Sequence, residues 1–357
     1  MRVLQIGADR SKRGILYPHT PAYVRQEAYA KEFGELDIIA FSRKSDDAQG
    51  SQSAHLRIIP TNSSSAFWYG LDALRVAKDL PRPDIVSAQD PFETGLVAWL
   101  LARRFGVPFH VQVHTDFLSL EYSRGSFINH IRVWIAGFLL RRATRVRVVS
   151  ERVKQELVAR YHLRAPVTVL PIFVDVEALK HAKADPELFG KFAVFRTKLL
   201  IVSRLEPEKN VELALRAFTE VPKDACLIIV GAGSESERLR SLAGSLGVMN
   251  RVFFEGEKPG IQYYALADLV LVTSRYEGYG LVIIEALASG KPVLSTDVGI
   301  AREESALISS EADFAVNLRT WFENGPRVGS LKSYSYKNFG YYVRAYADDI
   351  RACTKTK

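Results

Sequence analysis

The sequence predicts an α/β protein made of two successive doubly wound halves, and three observations carry that prediction. Short apolar runs that read as buried strands alternate with longer stretches of helical periodicity. The alternation fades between residues 171 and 196 and then restarts as a second series. The length, 357 residues, is more than one hydrophobic core commonly serves. In parallel sheets of this kind ligands gather at the carboxyl ends of strands, so the residues just after each strand are where chemistry is expected.

Residues 3–6 form the first strand, ending at Gly7, and a long basic loop containing Arg10, Lys12, Arg13 and Gly14 follows. Pro21 opens a helix to about residue 33, because proline is tolerated in a first helical turn. Strands are expected at 36–41, 56–59, 84–88, 109–113, 146–149 and 167–170, with helices at 68–80, 93–105 and 128–143. Ser150 is placed to cap a further helix that ends near Tyr161. The stretch 171–196, with Pro171, Pro186 and Gly190, reads as a connection between domains. The second series has strands at 199–202, 226–230, 252–254, 269–272 and 293–294. Its helices run to residue 218, to residue 246 and from Leu281 onward, and the tail 341–352 is helical.

Composition narrows the class. With 47% hydrophobic and 25% charged residues the chain reads as a soluble globular protein, and its net charge of +8 favours an anionic partner. Zinc-ligand spacing and an aromatic RNA-binding pattern are missing, so nucleic acid is not expected as that partner. The two cysteines, Cys226 and Cys353, are far apart, which speaks against a disulfide framework and fits a reducing compartment. The apolar length at Met1-Arg-Val-Leu-Gln-Ile-Gly7 is too short for a signal peptide, and the run 133–140 is too short to span a bilayer. A cytoplasmic protein is expected.

The densest signal is the stretch 274–290, Ser-Arg-Tyr-Glu-Gly-Tyr-Gly-Leu-Val-Ile-Ile-Glu-Ala-Leu-Ala-Ser-Gly. A strand, a turn with Gly278, Tyr279 and Gly280, and a helix starting at Leu281 make a socket for an anion, since the first amides of a helix are unpaired and its dipole is positive there. Glu277 and Glu285 bracket that socket with seven residues between them. A carboxylate beside a phosphate site is suited to accept hydrogen bonds from sugar or ribose hydroxyls. Arg204 and Lys209 follow another strand end and suit a diphosphate, although Glu206 and Glu208 also allow a plain solvated helix start. Gly231-Ala-Gly233 begins like a dinucleotide fingerprint, but Ser236 stands at the third glycine, so a tight strand-to-helix turn is the better reading.

In the first half, His114 ends a strand with Asp116 two residues on, a pair able to position a hydroxyl or shuttle a proton. The alternative is a histidine satisfied by its own neighbourhood. A basic run, Arg141, Arg142, Arg145, Arg147, Arg152, Lys154, Arg160 and Arg164, follows the apolar residues Phe127, Ile131, Trp134, Ile135 and Leu139. The apolar set reads as the inward face of a sheet-covering helix, and the charges as a patch for an anionic membrane surface.

Taken together these motifs resemble the retaining glycosyltransferases of family 4, which have the GT-B fold of two Rossmann-like domains facing across a cleft. The family's glutamate pair stands here as Glu277 and Glu285, and its diphosphate-binding arginine and lysine as Arg204 and Lys209. Val230-Gly-Ala-Gly233, Arg251-Val-Phe-Phe-Glu-Gly256, Ala267-Asp268, Val149-Ser150-Glu-Arg-Val and Pro171-Ile-Phe-Val-Asp175 match further family segments; the likeness is dense over 145–300. The resemblance implies an acceptor-side domain at 1–170, a donor domain at 171–338 and a tail helix, 339–357, that packs back on the first domain. It implies transfer of a hexosyl group from a nucleotide-diphosphate sugar to a glycan or lipid-linked acceptor in envelope, polysaccharide or glycolipid synthesis, with no metal or other cofactor. Glu277 would face the sugar, Glu285 the ribose; Gly231, Gly233, Gly278, Tyr279, Gly280 and Leu281 would line the donor. His114, Asp116, Gly14 and Arg10 would lie on the acceptor side.

The chain departs from the family pattern in three places. Gly7-Ala-Asp-Arg replaces the usual glycine pair after the first strand, Asp297-Val-Gly299 continues into a short Ile-Ala-Arg-Glu303 segment, and Ile172 replaces an asparagine at the junction. Two rival readings remain. A nucleotide-sugar epimerase of the same fold would convert donor without acceptor, and the Glu277/Glu285 pair disfavours it. A non-catalytic nucleotide-sugar or membrane-surface binding protein would not need the intact charged set.

Overall fold

Runs such as Leu-Val-Leu-Val at 269–272 and Ala-Cys-Leu-Ile-Ile-Val at 225–230 lack polar alternation, so their strands need cover on both faces. The computed structural model, which describes residues 1–8, 14–332 and 334–355, provides it. The chain divides into two compact units, Met1–Pro171 with Tyr336–Lys357, and Ile172–Ser335.

The strands of the first unit are β1 (Arg2–Gly7), β2 (Glu35–Ala40), β3 (Ser51–Gln52), β4 (Leu56–Pro60), β5 (Ile85–Ala88), β6 (Phe109–Val113), β7 (Arg145–Val148) and β8 (Val167–Val169). Among the described residues the sheet order is β3-β4-β2-β1-β5-β6-β7-β8, parallel except for the β3–β4 pair. The helices are α1 (Pro21–Phe33), α2 (Tyr69–Val76), α3 (Glu93–Phe105), α4 (Leu120–Arg124), α5 (Phe127–Leu140) and α6 (Glu151–Tyr161). Their starts follow the residues that favour them. Thr20 accepts from the Tyr23 amide at the head of α1, with Pro21 in its first turn. Ser150 accepts from Val153 at 3.3 Å, as expected from its place before the α6 run.

In the second unit the chain runs α7 (Val176–Lys180), α8 (Pro186–Phe192), β9 (Thr197–Val202), α9 (Val211–Phe218), β10 (Ala225–Val230), α10 (Ser236–Ser245) and β11 (Val252–Gly256). It continues with α11 (Ile261–Leu266), β12 (Leu269–Val272), α12 (Leu281–Ala288), β13 (Val293–Ser295), β14 (Leu307–Ile308) and α13 (Phe314–Asn324). The sheet is parallel, in the order β11-β10-β9-β12-β13-β14. Leu199, Leu215, Phe218, Leu227, Leu269 and Trp321 are buried in one cluster on it. The chain fills the sheet outward from β9 in one direction, then returns to β12 and fills the other. The ends of β9 and β12 therefore flank the switch point, where such sheets open a crevice.

The last helix, α14 (Phe339–Lys355), belongs to the first unit and packs on α1. Its Tyr346 ring lies 4.4 Å from that of Tyr29, and the Tyr29 hydroxyl donates to the Tyr342 hydroxyl at 2.6 Å. Asp349 is buried and accepts from His110 Nε2 at 3.1 Å and Arg145 Nε at 2.5 Å.

Three expectations are corrected. The stretch 171–196 is not a bare connection: it carries α7 and α8, and the second unit begins within it. The apolar residues of α5 do not form one inward face. Ala136, Leu139 and Leu140 are buried, whereas Phe127 is 79% and Trp134 73% exposed, with Ile131 exposed beside them. Nor is the basic run all surface: Arg147 is 2% exposed, and Arg145 is bound to Asp349.

Asp349 joins α14 to the sheet, so its carboxylate is a direct test of that attachment. Burial pushes its pKa up, but hydrogen bonds and charge from His110, Arg145 and Thr168 outweigh that and hold it at about 2. A depressed pKa contributes stability that is full above the unfolded value and is lost as pH falls through the folded one. Asp349→Asn is expected to cost about 3 kcal/mol in urea unfolding near neutral pH, as for a broken buried pair. The variant should also lose less stability than the parent between about pH 4 and about pH 2.

Candidate active site

The loops after β9 and β12 are knitted through the carbonyls of the Lys209 loop. The Thr273 hydroxyl donates to the Lys209 carbonyl at 2.9 Å, and the Arg275 amide to the Glu208 carbonyl at 2.8 Å. This brings together side chains from two separate motifs. Lys209 Nζ donates to Glu277 Oε1 at 2.5 Å, and Ser274 Oγ donates to the same oxygen at 2.8 Å. Both contacts converge on Oε1. The ammonium has three N–H groups and uses one here, so the pair is held in place without exhausting either partner. Arg204, four residues before its own partner Glu208 (2.8 Å), has a side chain 71% exposed and retains most of its donors for a ligand.

Beside this pair, α12 begins at Gly280, whose φ of +91° is strained for any residue with a Cβ, and no side chain caps the helix. Tyr279 and Gly278 are buried in the turn, and the Tyr279 carbonyl accepts from Ile300 at 3.0 Å, so the residues after Gly299 brace it. Glu303, in that segment, is exposed. Glu285, one turn into α12, accepts from the hydroxyl of buried Tyr264 at 2.6 Å. Burial raises the Glu285 pKa, and the Tyr264 hydrogen bond pulls it back.

Gly231 and Gly233 serve a close approach of backbone. A Cβ on Gly231 would lie 1.8 Å from the Ser203 carbonyl oxygen, and one on Gly233 2.3 Å from that of Leu205. The gap lets Leu205 N donate to Ala232 O and Glu235 N to Leu205 O, both at 2.9 Å. The tight-turn reading of these glycines thus holds, and their effect is to fix the segment that carries Arg204.

In the first unit, the imidazole of His114 turns to Gln112 Oε1 at 3.2 Å, an oxygen that also accepts from Arg147 Nη1 at 3.0 Å. Burial, then the charges of Arg147, Arg25 and His110, push the His114 pKa down to about 3. The ring is neutral at physiological pH and suited to position a hydroxyl rather than to act through its imidazolium. Asp116 is buried, its Oδ1 has no partner among the described residues, and burial followed by Glu156 pushes its pKa up to about 6. His114 and Asp116 thus face different partners. The Gly14 carbonyl accepts from Thr20 Oγ1 at 3.0 Å, and Arg10 lies outside the described residues. Among the described residues no group of three or more His, Cys, Asp or Glu could hold a metal ion, and no helix is long and apolar enough to cross a membrane.

Sequence reasoning missed Tyr264, Gln112, Arg147 and Glu156 as neighbours of the site residues. Ser274 was within reach, since it opens the same motif as Glu277.

Two α/β units, each on a largely parallel sheet and the second with an anion-suited switch point, have the architecture of the GT-B class of fold. Residues 27–178 match the model of Glycosyltransferase Family 4, and residues 191–306 match that of Glycosyl transferases group 1. The chain belongs to glycosyltransferase family 4. An alpha-monoglucosyldiacylglycerol synthase of Streptococcus pneumoniae is 28% identical over 239 residues, 62% of this chain and 54% of that protein. A D-inositol 3-phosphate glycosyltransferase of Mycolicibacterium gilvum is 31% identical, over 58% of this chain and 49% of that protein. The chain thus spans about half the length of the curated relatives it matches. Among solved structures, sucrose-phosphate synthase from Thermosynechococcus elongatus aligns with a TM-score of 0.72 at 19% identity, over 99% of this chain and 96% of the other. Anabaena Alr3699/HepE in complex with UDP and glucose aligns at 0.69 and 21%, over 99% and 97%.

The Gly231 contact yields a structural test. Gly231→Ala is expected to lower unfolding free energy by about 3 kcal/mol, from overpacking against Ser203 and a positive φ. Gly244→Ala, in a helix with open space around its Cα, should not lower it.

Proposed function

We propose that the protein moves a hexosyl group from a nucleotide-diphosphate sugar to an acceptor hydroxyl with retained anomeric configuration. The observation that carries this reading is the Lys209–Glu277 pair beside an uncapped helix start, at the switch point of the second sheet. Cation and amides suit the diphosphate, and the adjoining carboxylate suits the sugar hydroxyls.

As the bond between the anomeric carbon and the phosphate oxygen breaks, negative charge grows on the diphosphate. Lys209, Arg204 and the first amides of α12 are fixed there beforehand, which favours the transition state without reorganisation and without a metal. Glu277 keeps Oε2 for the sugar, Glu285 takes the ribose, and Gly231 and Gly233 hold the Arg204 segment. In the first unit, neutral His114 and Asp116 would orient the acceptor. A glycan or lipid-linked acceptor of envelope, polysaccharide or glycolipid synthesis fits the relatives' names, one of which is a diacylglycerol glycoside synthase. UDP in the Anabaena structure makes UDP-sugars the first donors to try.

Lys209→Ala and Glu277→Ala should each slow transfer by a hundredfold to a thousandfold, on the order expected for one lost transition-state contact, with melting temperature retained. The assay is sugar transfer with the donor that best raises the melting temperature among UDP, GDP and ADP sugars. Parental turnover in both variants would remove the assignment.

Glu285 gives a pH test. Only its ionised form accepts two hydroxyl hydrogen bonds, so nucleotide affinity should fall as pH drops through its raised pKa. Tyr264→Phe deletes the hydrogen bond that lowers that pKa. The loss of UDP affinity, followed by calorimetry from about pH 8 to about pH 5, should therefore begin at higher pH in the variant.

A further inference from the structure

Arginines 141, 142 and 160 line a cavity of ≈430 Å³ between α5 and α6, with Val133, Trp134 and Phe138 as apolar wall. Gly137 on α5 makes room for the α6 ring that lines the cavity: a Cβ there would sit 2.7 Å from the Tyr161 ring. Tyr161 fills that place, donates to the Val133 carbonyl at 3.2 Å and forms the floor. Arg141 stacks 5.1 Å from the Tyr161 ring centre and donates to Gly137 O at 3.0 Å; Arg142 stacks 3.6 Å from Phe138 and donates to Phe138 O at 2.9 Å. These contacts fix the guanidinium groups yet leave most of their N–H donors unused. Among the described residues, none of the three is in an ion pair, in contrast to Arg124 with Glu121 and Arg132 with Glu93.

The same helix exposes Phe127, Ile128, Ile131 and Trp134, an apolar strip beyond the cavity rim. A soluble anion would answer the arginines and leave the strip wet. An apolar protein partner would cover the strip and strand the charges. The surface of an anionic bilayer answers both, because headgroup phosphates lie just above the acyl region. At 14 residues α5 is about 21 Å long, suited to lie in the interface and too short to cross it.

We propose that the α5–α6 cavity binds the headgroup phosphate of an anionic phospholipid, with the Phe127–Trp134 strip of α5 lying in the bilayer surface. This site is independent of the transferase reading. The test is flotation of the full chain with phosphatidylcholine vesicles, with and without phosphatidylglycerol. The parent should float with the anionic vesicles only, less so as salt rises. Replacing the three arginines (R141Q, R142Q, R160Q) should reduce partitioning on the order of a hundredfold. F127S with W134S should reduce it as well, and R142Q alone, at an exposed helix end, should show a smaller loss in the same direction. Melting temperature should be unchanged in the variants that are compared. The proposal is overturned if the parent stays with the soluble fraction, binds neutral vesicles equally, or floats no better than the triple variant. Full release by millimolar glycerol phosphate would overturn it too, since that marks a site for soluble anions.

Discussion

The short contact between Lys209 and Glu277 is possible only because β9 and β12 are neighbours. Sixty-odd residues of chain separate them, and the sheet joins them where the winding reverses direction. An ammonium held near a helix start that is itself positive would be poorly placed without a carboxylate to balance it. Glu277 supplies that balance, and Ser274 orients it from the same oxygen. The geometry is therefore set before a ligand arrives. An anion entering the site meets a lysine already in position, with unused N–H groups directed by a partner rather than by solvent.

What supports that contact is mostly backbone. The Thr273 hydroxyl and the Arg275 amide bind carbonyls of the Lys209 loop, and the Gly231 loop binds Leu205 from the other side. The Arg204–Lys209 segment is clamped between two strand-end turns. Glycine at 231 and 233 reflects this crowding, which is why those positions look like a nucleotide fingerprint while lacking its third glycine.

Much of this was legible in the sequence, and the failures have physical causes. The helices Pro21–Phe33 and Glu93–Phe105 and the strands Phe109–Val113 and Leu269–Val272 were read with their observed bounds. Each is long enough to show its period or apolar enough to show its burial. Helices α7 and α8 were missed because five and seven residues are too few to display a 3.6-residue repeat. Helix α5 misled for the opposite reason: apolar residues circle it, so periodicity could not choose its inward face. Tyr264 was invisible because its role comes from α11 meeting α12, a contact no local pattern encodes. The arginines of Arg-Val-Arg-Val at 145–148 read as part of a basic patch for a membrane surface, since nothing nearby in sequence announces their partners.

Those partners come from the far end of the chain, and they decide the chemistry of His114. Arg147 keeps its charge in the interior because Gln112 and Tyr342 accept its hydrogen bonds and the Tyr346 ring lies 4.7 Å away. Tyr342 and Tyr346 belong to α14, so the final helix is what makes a buried guanidinium tolerable. That fixed positive charge shares Gln112 Oε1 with His114 and, together with burial, keeps the imidazole from taking up a proton. A His at a strand end thus differs from the titrating group its sequence position suggests, and the cause lies more than two hundred residues away. It follows that α14 sets the charge around His114 and does not merely cover the sheet: loosening Tyr342 or Tyr346 would change which charge the His114 ring feels before it changed any group beside it.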